Sequence, residues 1–146
     1  MAVVNFSALI DAFHFVSVGG GFDNRAYVDL DTGIIYLVSS EIEIEQDLPE
    51  DLEESDRYLA VPDRNELDLG QQLVMTFVQR KLPNDVQQVA GFFRRKGAYS
   101  RLKVLLADRG LLDPWYAFEL GETQAALREW CQENGIELDE SGTAAP

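Results

Sequence analysis

The chain has one cysteine, Cys131, and one histidine, His14, among 146 residues. A single cysteine excludes an internal disulfide framework and fits a reducing cytoplasm. One cysteine and one histidine cannot build the usual zinc sets, so no metal and no other cofactor is expected. No apolar run approaches the roughly 20 residues that span a bilayer. The stretch "MAVVNFSALIDAFHFVSVGGG" has no early Lys or Arg and carries Asp11. It does not read as a signal peptide, and no membrane partner is expected. Cations are scarce as well: 12 Lys and Arg stand against 26 Asp and Glu, a formal net charge of -14. That balance argues against non-specific binding to DNA and favours a basic partner.

What is present is globular in kind, with 46% hydrophobic residues and 10% aromatic. The length suits one domain over 1–146 with a real core. Charge is unevenly spread. Residues 41–68 hold twelve carboxylates against Arg57 and Arg64, while residues 80–109 hold eight cations against Asp85 and Asp108. Residues 41–56, with "DLPEDLEESD", read as a solvated acidic loop.

Apolar spacing sets the expected elements. Phe6, Leu9, Ile10, Phe13 and Val16 share a helical face over 6–17, with Asn5 as its cap and the glycines at 19–21 as its end. Two β-rich runs, 25–30 and 34–39, flank Asp31-Thr32-Gly33 and predict a hairpin with Gly33 at positive φ. "RYLAVP" at 57–62 predicts a third strand. Helices follow at about 65–81, capped by Asp63 or Asn65, and at about 84–96 and 99–109. A last helix runs from an Asp113 cap and Pro114 to about Asn134, with Gly121 as an expected interruption. Residues 139–146 are expected to fray. The fold class is α+β: a small antiparallel meander, an N-terminal helix and a cluster of about four C-terminal helices.

Catalytic signals are thin, and no catalytic residue is assigned. His14 lies within an apolar helical stripe and is expected to be a partly buried structural residue. "GGGF" follows a helix rather than a strand and lacks a phosphate-loop lysine. The acidic residues lack the order of an EF-hand loop.

The informative stretch is "FFRRKGAYSRLK", residues 92–103, with five cations and no carboxylate in a strongly acidic chain. Arg94, Arg95 and Lys96 precede a predicted helix break at Gly97, and Arg101 and Lys103 follow it. A helix start carries unpaired amides and roughly half a positive charge. Cations beside such amides form an anion site. The rival expectation is internal: these cations satisfy a helix C-terminus or pair with the acidic stretch. Tyr99, Trp115 and Tyr116 belong to an interface if they are exposed, and to the core otherwise.

Three segments also carry a family likeness: "KGAYSRLK" at 96–103, "DPWYAFE" at 113–119 and "LREWCQENGIEL" at 127–138. With the upstream "YVDLDTG" and "YLAVP", they resemble a family of small bacterial proteins catalogued as uncharacterised. The likeness spans about residues 6–138 and departs at Leu102, where the family's pattern has an aromatic. The resemblance implies a bacterial, cytoplasmic protein and brings no activity or catalytic residue with it. The expected function is a non-enzymatic binding or regulatory module with a basic anion-binding patch at 94–103 and an acidic face. Its partner is a protein or a phosphate-bearing ligand. One alternative is an acidic inhibitor or immunity-type protein bound to a basic partner, and another is an enzyme acting on a phosphate-bearing substrate.

Overall fold

Asn5 starts the first helix, α1 (Phe6–Val16), from extended backbone, and its side-chain oxygen accepts from the Ala8 amide at 2.9 Å. Phe6, Leu9, Ile10 and Phe13 are buried along one face, as their spacing predicts. Ser17 closes the helix by donating its hydroxyl to the Phe13 carbonyl at 2.7 Å. His14 is exposed, against expectation. It stands one residue past Phe13, about 100° further round the helix, and so leaves the buried face. The computed structural model describes residues 2–18 and 23–145. The glycine run at 19–21 lies outside them.

The chain divides into two compact units: residues up to 67 with 124–145, and residues 68–123. The first unit holds the five strands found among the described residues: β1 (Val3–Asn5), β2 (Asn24–Asp29), β3 (Ile35–Ser39), β4 (Tyr58–Ala60) and β5 (Glu137–Asp139). The expected hairpin forms between β2 and β3, with Tyr27 opposite Tyr36 and Gly33 at φ 79°. The three-stranded sheet is antiparallel, but its order is β3-β2-β4, so β4 lies beside β2 and not beside its predecessor in the chain.

Asp29 explains that order. Its buried carboxylate takes a bidentate pair from Arg57, with both contacts at 2.9 Å, and accepts the Asp31 and Thr32 amides of the hairpin turn. One side chain thus shapes the turn and secures the residue that leads into β4. The pairing with Arg57 holds the Asp29 carboxyl far below the usual carboxylate range, against the effect of burial.

The first unit also contains a parallel pair that the sequence does not announce. β1 and β5 align Val3 with Glu137 and Asn5 with Asp139. Beyond β5, the tail expected to fray is bonded at several points. Arg128 pairs with Glu140 at 2.8 Å, and the buried Gln124 amide donates to the Ala144 carbonyl at 2.7 Å. The acidic loop, 41–56, has no helix or strand. It is anchored by buried Leu52, by a Glu53–Arg25 ion pair and by Gln46, whose amide bonds both the Leu37 N–H and the Ile35 carbonyl of β3. Gln46 thereby occupies the open edge of β3 as a neighbouring strand's peptide group would.

The second unit is helical: α2 (Gln71–Lys81), a 3-10 turn (Pro83–Asp85), α3 (Val86–Phe92), α4 (Ala98–Asp108) and the first part of α5 (Leu112–Glu133). Its core joins Val74, Phe77, Val78, Val89, Leu102, Leu106 and Trp115. Three helix limits differ from the sequence reading. α2 starts at Gln71 because Asp68 takes a left-handed φ of 57°; Asp63 caps only a preceding turn through the Glu66 amide. α3 stops at Phe92, where the Phe93 and Arg94 amides bond three residues back and tighten the chain. α5 begins before Asp113, with the Trp115 amide bonded to the Leu111 carbonyl, and it runs through Gly121 unbroken.

Candidate anion-binding site

Because α3 stops early, residues 93–97 form a turn instead of a helix end, with Phe93 half-buried and the rest exposed. Arg94, Arg95, Lys96 and Gly97 are all exposed. Gly97, at φ 84°, occupies the N-cap position of α4, and no side chain caps that helix. The first α4 amides therefore follow directly on three cations. Within the 68–123 unit, no carboxylate pairs with Arg94, Arg95 or Lys96; the one ion pair found among its described residues joins Arg109 to Asp85 at 3.3 Å.

Arg101 returns to the turn from the first turn of α4. Its guanidinium donates to the Lys96 carbonyl at 2.6 Å and lies over Gly97. This contact fixes the shape of the turn. It uses one of five guanidinium N–H groups, so most of the donor capacity of Arg101 remains. Lys103 goes elsewhere: its ammonium stands 6.0 Å from the centre of the Tyr116 ring. The structure therefore brings Lys96, Gly97 and Arg101 into contact, keeps Arg94 and Arg95 in the same turn, and separates Lys103.

The three aromatic candidates divide in the same way. Trp115 is only 2% exposed and meets Phe77 edge-on at 5.3 Å, so it is core and offers no interface. Tyr99 is half-buried, with its ring edge-on to Phe93 at 5.5 Å, and it packs on the same core. Tyr116 is 42% exposed and meets the condition for an interface residue.

One feature was missed in the sequence. α3 and α4 bound a groove of about 280 Å³, lined by Gln88, Phe92, Arg101, Val104, Leu105 and Asp108. The α4 members fall at i, i+3, i+4 and i+7, one helix face. Val104 is the signal that could have revealed it. This apolar residue lies off the buried stripe of Leu102, Leu105 and Leu106, and it is 64% exposed. Among the described residues, no three His, Cys, Asp or Glu gather as metal ligands, and no helix is long and apolar enough to cross a membrane. Burial pushes the Cys131 thiol up to about 11, so it is not an activated nucleophile.

No family model, no curated protein and no solved structure matches the chain.

Proposed function

We propose that the chain is a non-enzymatic binding module, bacterial and cytoplasmic, whose 93–97 turn captures an anionic group on its partner or ligand. The observation that carries this reading is the exposed run of Arg94, Arg95 and Lys96, unpaired within its own unit, directly before the uncapped start of α4. Cations cost stability when crowded together, and here no carboxylate of the unit relieves them. An incoming phosphate or carboxylate would gain charge-assisted hydrogen bonds and the positive end of α4 together.

The test is a thermal-shift series at low salt with tripolyphosphate, nucleotides and short single-stranded nucleic acid. Arg94→Ala with Arg95→Ala is the control pair, because both side chains are exposed and neither supports the turn as Arg101 does. An anion site stabilises the parent on adding ligand, by about 2.7 kcal/mol at a hundredfold excess over Kd, and leaves the double variant unmoved. A parent midpoint indifferent to every anion refutes the reading.

A further inference from the structure

We propose that the α3–α4 groove, with the cationic turn at its end, docks residues 41–48 of a second copy of the chain and joins molecules head to tail. This rests on the anion-site reading above and names the occupant. The groove is more than a phosphate needs. Phe92, Val104 and Leu105 give it an apolar lining, with Arg101 at one end and Asp108 seven residues on. Seven residues of helix span about 10.5 Å. A ligand filling that length presents apolar side chains to the lining and negative charge to the Arg101 end.

The segment "EIEIEQDL", 41–48, has that chemistry. In extended chain, Ile42 and Ile44 share one face and Glu41, Glu43 and Glu45 the other. Eight residues at about 3.3 Å each extend about 26 Å, enough to cover the groove and run on to the cationic turn. Ile42 is 52% exposed and Leu48 43%, and the segment has no helix or strand that would have to melt. It is held at both ends, by the Ser39 hydroxyl on the Glu41 and Ile42 amides and by Gln46 on β3. The segment is therefore presented at low ordering cost. Charge matches across the contact: carboxylates of 41–47 meet Arg94, Arg95, Lys96 and Arg101. Because groove and segment are different surfaces, the contact is heterologous and builds open chains or closed rings. One segment in one groove falls short of the roughly 1,200 Å² of stable interfaces, so association is weak and is sought at high protein concentration.

Two variants separate the halves. Ile42→Ser with Leu48→Ser removes the segment and keeps the groove; Val104→Glu blocks the groove and keeps the segment. All three side chains are exposed, and unchanged circular dichroism and melting midpoints verify the folds. Sedimentation velocity of the parent is expected to show a weight-average coefficient that climbs with concentration. Each variant alone stays monomeric, and their equimolar mixture forms dimers and nothing larger. A parent that remains monomeric at the highest concentration overturns the proposal, as does a mixture that fails to associate. Undiminished association by the Arg94→Ala, Arg95→Ala pair overturns it too. Should Val104→Glu fail to fold, a synthetic peptide of residues 39–50 replaces it: binding to the Ile42→Ser, Leu48→Ser variant supports the docking site, and no binding overturns it. Tripolyphosphate stabilisation without any association defeats this inference alone; loss of both defeats the anion site as well.

Discussion

Gly33 is held by two constraints that act on different atoms. Its φ of 79° strains any residue with a Cβ, and a Cβ there would also run into the backbone carbonyl of Val3. The second constraint is absent at Gly97, where φ is 84° but only the flexible Arg101 guanidinium is near. Gly33→Ala is therefore expected to cost about 3 kcal/mol, strain plus displacement of β1, and Gly97→Ala about 1 kcal/mol. Urea unfolding of the two variants checks the order; equal losses would mean that the Val3 contact yields freely. Asp29 sets a pH dependence of known sign. Its folded carboxyl is depressed by Arg57, so its contribution is complete above the unfolded value of about 3.9 and fades as pH falls through the depressed one. Asp29→Asn is expected to cost about 2 kcal/mol at pH 7 and to flatten the loss of stability between pH 5 and pH 2. A variant as acid-sensitive as the parent contradicts that role.

At the scale of elements, α3 is the decisive one, since its early end makes the cationic turn. Gly91 sits in α3 with open space around its Cβ position. Gly91→Ala is expected to stabilise the protein by about 0.5–1 kcal/mol, measured by the denaturation midpoint, and to leave anion binding unchanged. A loss of anion binding would show that the turn needs a yielding helix before it. Elements set by neighbours in the chain were legible in the sequence: the Asn5 cap, the Gly33 turn and the break at Pro83 each depend on a few adjacent residues. Elements set by distant partners were not. Arg57 grips Asp29 across 28 residues, and β1 pairs with β5 from the other end of the chain. The site divides in the same way. The run of cations was visible as composition, whereas the parting of Arg101 from Lys103 follows from helical geometry around Gly97. The groove needs residues from two helices packed together, and only the misplaced Val104 hinted at it.

Over the whole molecule, charge is sorted by unit. The acidic stretch up to Leu67 belongs to the unit that holds the strands, and the cations from Arg80 to Arg109 belong to the helical one. Carboxylates of the first unit find cations within that unit: Asp29 and Asp31 at Arg57, Asp23 and Glu53 at Arg25, and Glu140 at Arg128. On the proposed reading, the turn at 93–97 takes an external anion. Its affinity should fall steeply with salt, because exposed charges are screened over about 10 Å at 0.1 M. The most direct test of that claim is an amide NMR titration of the labelled protein with tripolyphosphate at low salt. Saturable shifts are expected on Lys96 to Ser100, at the turn and the first amides of α4, together with their loss in the Arg94→Ala, Arg95→Ala variant. No shift at those amides, or the same shifts in the variant, would contradict it.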